Sequence, residues 1–154
     1  MRKLRKRYKK PKRPWDSSRI EEERKILKEF GLRRKKEIWV AEAIVREFRR
    51  RARNLIAVKD ESETKVLLDK LARLGLLEKG QALENVLALS VRDVLNRRLQ
   101  TLVFKKGSAE TMKHARQVIT HGHVCIGGRR ITFPSYIVPV EEEKLIKLRK
   151  EKGG

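Results

Sequence analysis

Between residues 36 and 56 apolar side chains recur at Ile38, Ala41, Val45, Phe48, Ala52 and Leu55, which is the spacing of one face of a helix. With each residue turned by ~100°, Trp39, Arg46, Arg49, Arg50 and Arg53 fall on the other side. One face must pack and the other is cationic, so whatever this chain folds into is organised around that helix. The charge is general: 41 Lys and Arg stand against 20 Asp and Glu, a net charge of +21. Such an excess repels itself, and a polyanion relieves the repulsion with entropy gained from released counterions. A merely soluble surface carries a net charge of magnitude ~2 to 8. The 154 residues suffice for one domain or two small ones, not for a large enzyme.

Cys125 is the only cysteine, which excludes a disulfide framework or a Cys-rich zinc module and suits a reducing compartment. No apolar run approaches the ~18 residues that span a bilayer, and the start lacks the apolar region of a secretory signal. A soluble, cytoplasmic chain with no membrane partner is expected. The Arg-rich start is too dense in Lys and Arg, without Ser or amphipathic spacing, to read as a transit peptide.

Residues 1–14 form a basic arm holding Arg2, Lys3, Arg5, Lys6, Arg7, Lys9, Lys10, Lys12 and Arg13, with no acid. Pro11 and Pro14 forbid a regular helix there, and the charge density suits a segment that orders against phosphates. Residues 15–88 read as a helical RNA-binding domain. Ser17 or Ser18 caps a helix over 19–30 that stops at Gly31, with Glu21, Glu22 and Glu23 in its first turn. Trp15 and the loop cations Arg33, Arg34, Lys35 and Lys36 join the arginine face as RNA-binding candidates. Trp39 suits either local packing or stacking on a base. A third helix opens at Asp60 or Ser62 and runs through Val66, Leu67, Lys70, Leu71 and Leu74 to Gly75, its leucines serving the core. Residues 78–89 are less patterned and read as a link without chemistry.

Ser90, with Asp93 three residues on, caps an amphipathic helix of Val91, Val94, Leu95, Leu99 and Leu102. Arg98 lies on its apolar side, so a carboxylate partner is expected. After Lys105, Lys106 and Gly107, Ser108 caps the next helix. There Met112, Ala115 and Ile119 face inward, while Lys113, Arg116, Gln117 and Thr120 form an outward strip. Gly122 ends it. Val124 and Ile126 alternate with His123 and Cys125, and Gly127 with Gly128 makes a two-residue hairpin, since glycine tolerates positive φ at both positions. Arg129 and Arg130 follow the turn. Ile131 and Phe133, then residues 136–140, read as further short strands bounded by Pro134 and Pro139.

The stretch NRRLQTLVFKKGSAETMKHARQVITHGHVCIGGRRITFPSYIVPV resembles the RNA-binding unit of the small-subunit ribosomal protein S-four family, the alpha-L motif. The segments RRLQT, KKG, ARQ, HGHV and PSY carry the match. The resemblance extends upstream through RPWDSSRIEEERKILKEFGLRRKKEIW, in the archaeal and eukaryotic form of the family, and covers roughly residues 10–140. It implies an α+β fold: a helical first domain, then an alpha-L domain over 89–140 with two helices and a small antiparallel sheet. Residues 141–154 read from their composition as a charged tail, either a short helix or a frayed end. The resemblance further implies a primary binder of small-subunit ribosomal RNA that clamps a multi-helix junction in the 5′ domain, nucleates assembly and supports accurate translation. Neighbouring small-subunit proteins and messenger RNA at the entry channel are the other implied partners. By match to the motif, Arg97, Arg98, Gln100, Thr101, Lys105, Lys106, Arg116, Gln117, His121, His123, Arg129, Ser135 and Tyr136 become RNA-binding candidates, beside Ser108, Lys113 and Arg130. The Gly127 and Gly128 turn replaces the Asn-Gly pair often seen in the family, the N-terminal zinc cysteines of some bacterial members are absent, and the chain ends sooner after the alpha-L unit than most relatives.

Other chemistries find less support. His121, His123 and Cys125 alternate in a manner that suits zinc, but a fourth ligand is missing nearby except for His114. No carboxylate or amide pattern accompanies the His and Cys pair for nucleophilic catalysis. No phosphate-cradling GxxxxGK loop occurs. No cofactor, metal or catalytic residue is therefore assigned. The rival functions are an RNA-modifying enzyme such as a pseudouridine synthase, which needs an added catalytic domain, and a free-standing RNA chaperone or ribosome-recycling factor on the same module.

Overall fold

The expected central helix is present as α2 (Lys35–Val58), and its buried residues are the six of the apolar stripe. The protein is described here from a computed structural model, which covers residues 6–78 and 80–148. The first five residues of the basic arm and the last six of the tail lie outside the described residues.

Around α2 pack α1 (Ser17–Glu29), α3 (Glu61–Arg73), α4 (Leu83–Ala88) and α5 (Val91–Asn96). The cap of α1 is Asp16, one residue before the expected serines, and Ser18 Oγ donates to Asp16 Oδ1 at 2.8 Å. Asp60 caps α3 by accepting from the amides of Ser62 and Glu63. Of its leucines, Leu67 and Leu71 fill the core, while Val66 is 69% exposed. The stretch read as a patternless link contains α4, too short for periodicity to reveal, with Val86 fully buried.

The single helix expected from Ser90 onward is instead two. Ser90 and Asp93 form a reciprocal capping box at α5, the chain extends at Arg98, and α6 (Leu99–Lys105) begins anew. The break has a partner: Leu99 N donates to Tyr136 O at 2.7 Å and Val138 N donates to Arg97 O at 3.0 Å. Residues 136–138 therefore bond to the interruption, with one isolated bridge between Arg98 and Ile137, rather than forming the expected strands. Pro134 and Pro139 supply no amide donors, which keeps this segment from a longer ladder. The cap of α7 (Met112–Thr120) is Thr111, not Ser108, with Thr111 Oγ1 accepting from His114 N at 3.1 Å.

The hairpin forms as expected. Strands β1 (Val124–Ile126) and β2 (Arg129–Arg130) pair antiparallel, and Gly127 and Gly128 hold φ of 54° and 83°, positions where other residues are strained. The third strand comes from an unexpected place. It is β3 (Ile146–Leu148), drawn from the segment read as a tail, reached through the short helix α8 (Val140–Glu143) and paired antiparallel with β1, giving the order β2-β1-β3.

Two apolar cores result. The first runs from Phe30 to Leu95 and the second from Leu99 to Ile146. Between them lie Arg97 and Arg98, and α5 packs on α2.

Candidate nucleic-acid interface

The two cores meet at a carboxylate. Glu37, in the first turn of α2, accepts from Arg98 Nη2 at 2.6 Å, from Arg116 Nη1 and Nη2 at 3.2 Å each, and from the backbone amide of Arg33 at 3.2 Å. Burial pushes its carboxyl pKa up, but the hydrogen bonds and charges of Arg98 and Arg116 outweigh burial and hold it below the usual carboxylate value. The carboxylate expected opposite Arg98 is thus Glu37, from the other core. Arg116, expected on the outward strip of α7, is turned half-inward to the same acid.

Neighbouring contacts fix the two units closely. Gln100 Nε2 lies within 3.2 Å of the carbonyls of Phe30 and Gly31 and 2.9 Å from that of Met112. Gly31 has φ of 56°, and a Cβ there would stand 2.7 Å from Met112 Cβ. Glycine therefore allows the end of α1 to approach the start of α7. Thr101 Oγ1 donates to Leu95 O at 2.8 Å. Arg97 donates to Glu143 at 2.7 Å and to Val138 O at 2.8 Å. These contacts engage four candidates: Arg98, Gln100 and Thr101 are buried and Arg97 is half-buried, and they join the two units.

The remaining candidates divide by partner. In α2, Arg46 and Arg53 are exposed without a hydrogen bond or ion pair among the described residues, whereas Arg49 donates to Leu89 O at 2.5 Å and Arg50 pairs with Glu47 at 3.2 Å. Arg33, Arg34 and Lys36 are exposed around the start of α2. Lys35 is bound to buried Glu23 at 3.0 Å, and Trp39 Nε1 donates to that same acid at 3.0 Å. Burial raises the Glu23 pKa, but Trp39 and Lys35 more than offset this and leave it below the usual value. Trp39 is therefore a packing residue, while Trp15 is 89% exposed. The described part of the arm lies against α2: the Tyr8 ring sits 5.8 Å from that of Trp39 with Lys36 Nζ 5.4 Å from its centre. Arm cations Lys6, Arg7, Lys9, Lys10, Lys12 and Arg13 stay exposed.

On the second unit, Lys113, Gln117 and Arg129 are exposed, and Ser108 is half-buried. Lys105 donates to Asn96 at 3.2 Å, Lys106 to the Glu143 carbonyl, and Arg130 to the His121 carbonyl at 3.2 Å, while all three remain exposed. His121 and His123 stack with ring centres 6.2 Å apart. Ser135 is exposed, but the Tyr136 hydroxyl donates to Glu142 at 2.7 Å; that bond first, then burial, raises its pKa. Among the described residues no cluster of three or more His, Cys, Asp or Glu could hold a metal ion, and no helix is long and apolar enough to cross a membrane.

Sequence reasoning missed Glu37 and Glu23. The only signal was an acid following four cations in RRKKE, and one among three consecutive acids in EEE. Neither marks burial without knowledge of the partner. Between the units, above Glu37, opens a cleft of about 430 Å³ with Arg33, Arg34, Lys36 and Arg116 in its walls. The arrangement gathers cations from both units around one cleft, which suits a polyanion.

The S4 domain family matches residues 97–144, the span of the second unit from its first arginine pair to the turn before β3. Over 148 residues, 94% of this chain, it is 51% identical to small ribosomal subunit protein uS4 of Ignicoccus hospitalis, covering 89% of that protein. Over the same share it is 49% identical to the uS4 protein of Methanothermobacter thermautotrophicus, covering 86% of it, and 47% identical to that of Saccharolobus solfataricus, covering 82%. The α+β architecture, the S4 domain and near-full-length similarity agree that the chain belongs to the small ribosomal subunit protein uS4 family.

Proposed function

We propose that this chain clamps a multi-helix junction in the 5′ domain of small-subunit ribosomal RNA, binding early and holding the RNA helices at fixed angles. As a uS4 family member it is a structural, RNA-binding constituent of the small ribosomal subunit. The observation carrying the clamp is the Glu37 junction: one acid bound by two arginines of the other unit makes the two cationic bodies act as one. Lys and Arg neutralise crowded phosphates, and polar side chains such as Gln117 and Ser135 meet 2′-hydroxyls and backbone turns. The work is positional, with no bond made or broken. Cytoplasmic ribosomes, neighbouring small-subunit proteins and messenger RNA near its entry channel complete the proposed setting, and through them an influence on accuracy.

The test is co-sedimentation with small subunits after a high-salt wash, combined with footprinting of the 5′ domain. Stoichiometric retention and protection of the junction are expected. Loss in the wash would favour a transiently bound chaperone or recycling factor, and turnover of unmodified ribosomal RNA would favour an enzyme.

A further inference from the structure

We infer that the cleft between the two units binds one unstacked nucleotide, its base against the apolar floor and its phosphate at the cationic rim. The inference rests on the RNA-binding reading and adds a specific subsite to it. Charge selects the ligand's sign. Five cations (Arg33, Arg34, Lys36, Arg98, Arg116) and a single acid, Glu37, line the cleft. That acid already accepts from two arginines and a backbone amide, so its charge is matched from within. Two arginines, Arg98 and Arg116, share this one carboxylate, so the cleft keeps a net positive charge.

The floor selects the rest of the ligand. Val40 and Ile44 of α2 line the cleft together with Pro134 and Ile137, aliphatic carbon that a bare phosphate would not need. At about 430 Å³ the cleft lies within the usual range for small-ligand sites and is too small for a duplex. A flat, partly apolar group carrying an anion fits both halves, and in RNA that is a nucleotide turned out of its stack. Ser135 is the only neutral side chain there with a hydrogen-bonding group, so it can meet a base edge without strong preference among bases.

The full chain tests this by methyl NMR at Ile44 and Ile137, with adenosine 5′-monophosphate, inorganic phosphate and an oligoglutamate peptide as separate probes. The nucleotide is expected to shift both methyls saturably, with phosphate and peptide leaving them in place. Ser135→Trp, at an exposed lip, should block the shift, and Arg33→Ala with Arg34→Ala should weaken it while leaving the circular-dichroism spectrum unchanged. In complex with a 5′ domain transcript, Ser135→Trp should expose one otherwise protected base to chemical modification and weaken binding about tenfold, the scale of one lost base contact. An unchanged RNA footprint in Ser135→Trp, or methyl shifts produced equally by phosphate, would overturn the subsite; tighter binding of the peptide would assign the cleft to an acidic protein segment. If wild type shows no preference for small-subunit RNA, the clamp fails, while the nucleotide titration still decides the cleft.

Discussion

Replacing Glu37 by Ala should cost more than any exposed charge change in this chain. Arg98 Nη2 lies 2.6 Å from Glu37, and their side chains are 6% and 18% exposed. Removing the carboxylate leaves a guanidinium in the interior without its counter-ion, a change that costs about 3 to 5 kcal/mol. Arg116 is 25% exposed and can turn to water, so Arg98 dominates the loss. Against a total stability of about 5 to 15 kcal/mol for a typical domain, this is a large share. Urea unfolding followed by circular dichroism measures it, with the m-value as a check that the transition stays cooperative. The pair itself is a weaker source of stability than its rupture suggests, because both ions are desolvated. Glu37→Ala combined with Arg98→Met should therefore recover most of the loss. A single-variant cost below about 1 kcal/mol, the range of a solvated surface pair, would refute the buried junction.

Other outcomes follow from the same contacts. Glu37 and Glu23 have depressed carboxyl pKa values, so their contribution to stability is complete above the ordinary value of 4.5 and is lost as pH falls through the depressed ones. Glu37→Ala should flatten that acid limb in a pH series of urea midpoints. Gly31→Ala should destabilise by about 2 kcal/mol or more, since φ is positive and the new methyl meets Met112; a neutral result would show that the two units can separate there. Ile146→Ala should cost about 2 to 3 kcal/mol and speed hydrogen exchange at Gly127, whose amide donates to the Leu145 carbonyl beside β3; unchanged exchange would return that segment to a tail.

The regular elements were legible where local periodicity and burial coincide. The stripe from Ile38 to Leu55 named its own core, and Gly127 with Gly128 named its turn. The failures share a cause: the deciding partner is distant in sequence. Nothing near Arg97 and Arg98 announces that residues 136–138 will bond to them and break a helix, and nothing in EEEKLIKL states whether a strand edge awaits it. The S4 domain resemblance identified a binding unit but could not sort contact from support. Gln100, Thr101 and Arg98 read as polar groups available to RNA until packing buried them, whereas Arg46, Arg53 and Lys113 stayed at the surface. A charged residue in a sequence reports its chemistry. Its neighbour 61 positions away, as for Glu37 and Arg98, decides whether that chemistry faces solvent.

The central claim is that cations fixed on two locked bodies find their counter-charge in folded ribosomal RNA. The most direct test measures the affinity for a small-subunit 5′ domain transcript and for heparin across a salt series. The account predicts a clear preference for the transcript at physiological ionic strength and a steep linear fall of log affinity with log salt, its slope reduced by about one for each of Arg46→Ala and Arg53→Ala. Equal affinity for heparin, or a slope that these substitutions leave untouched, would contradict it.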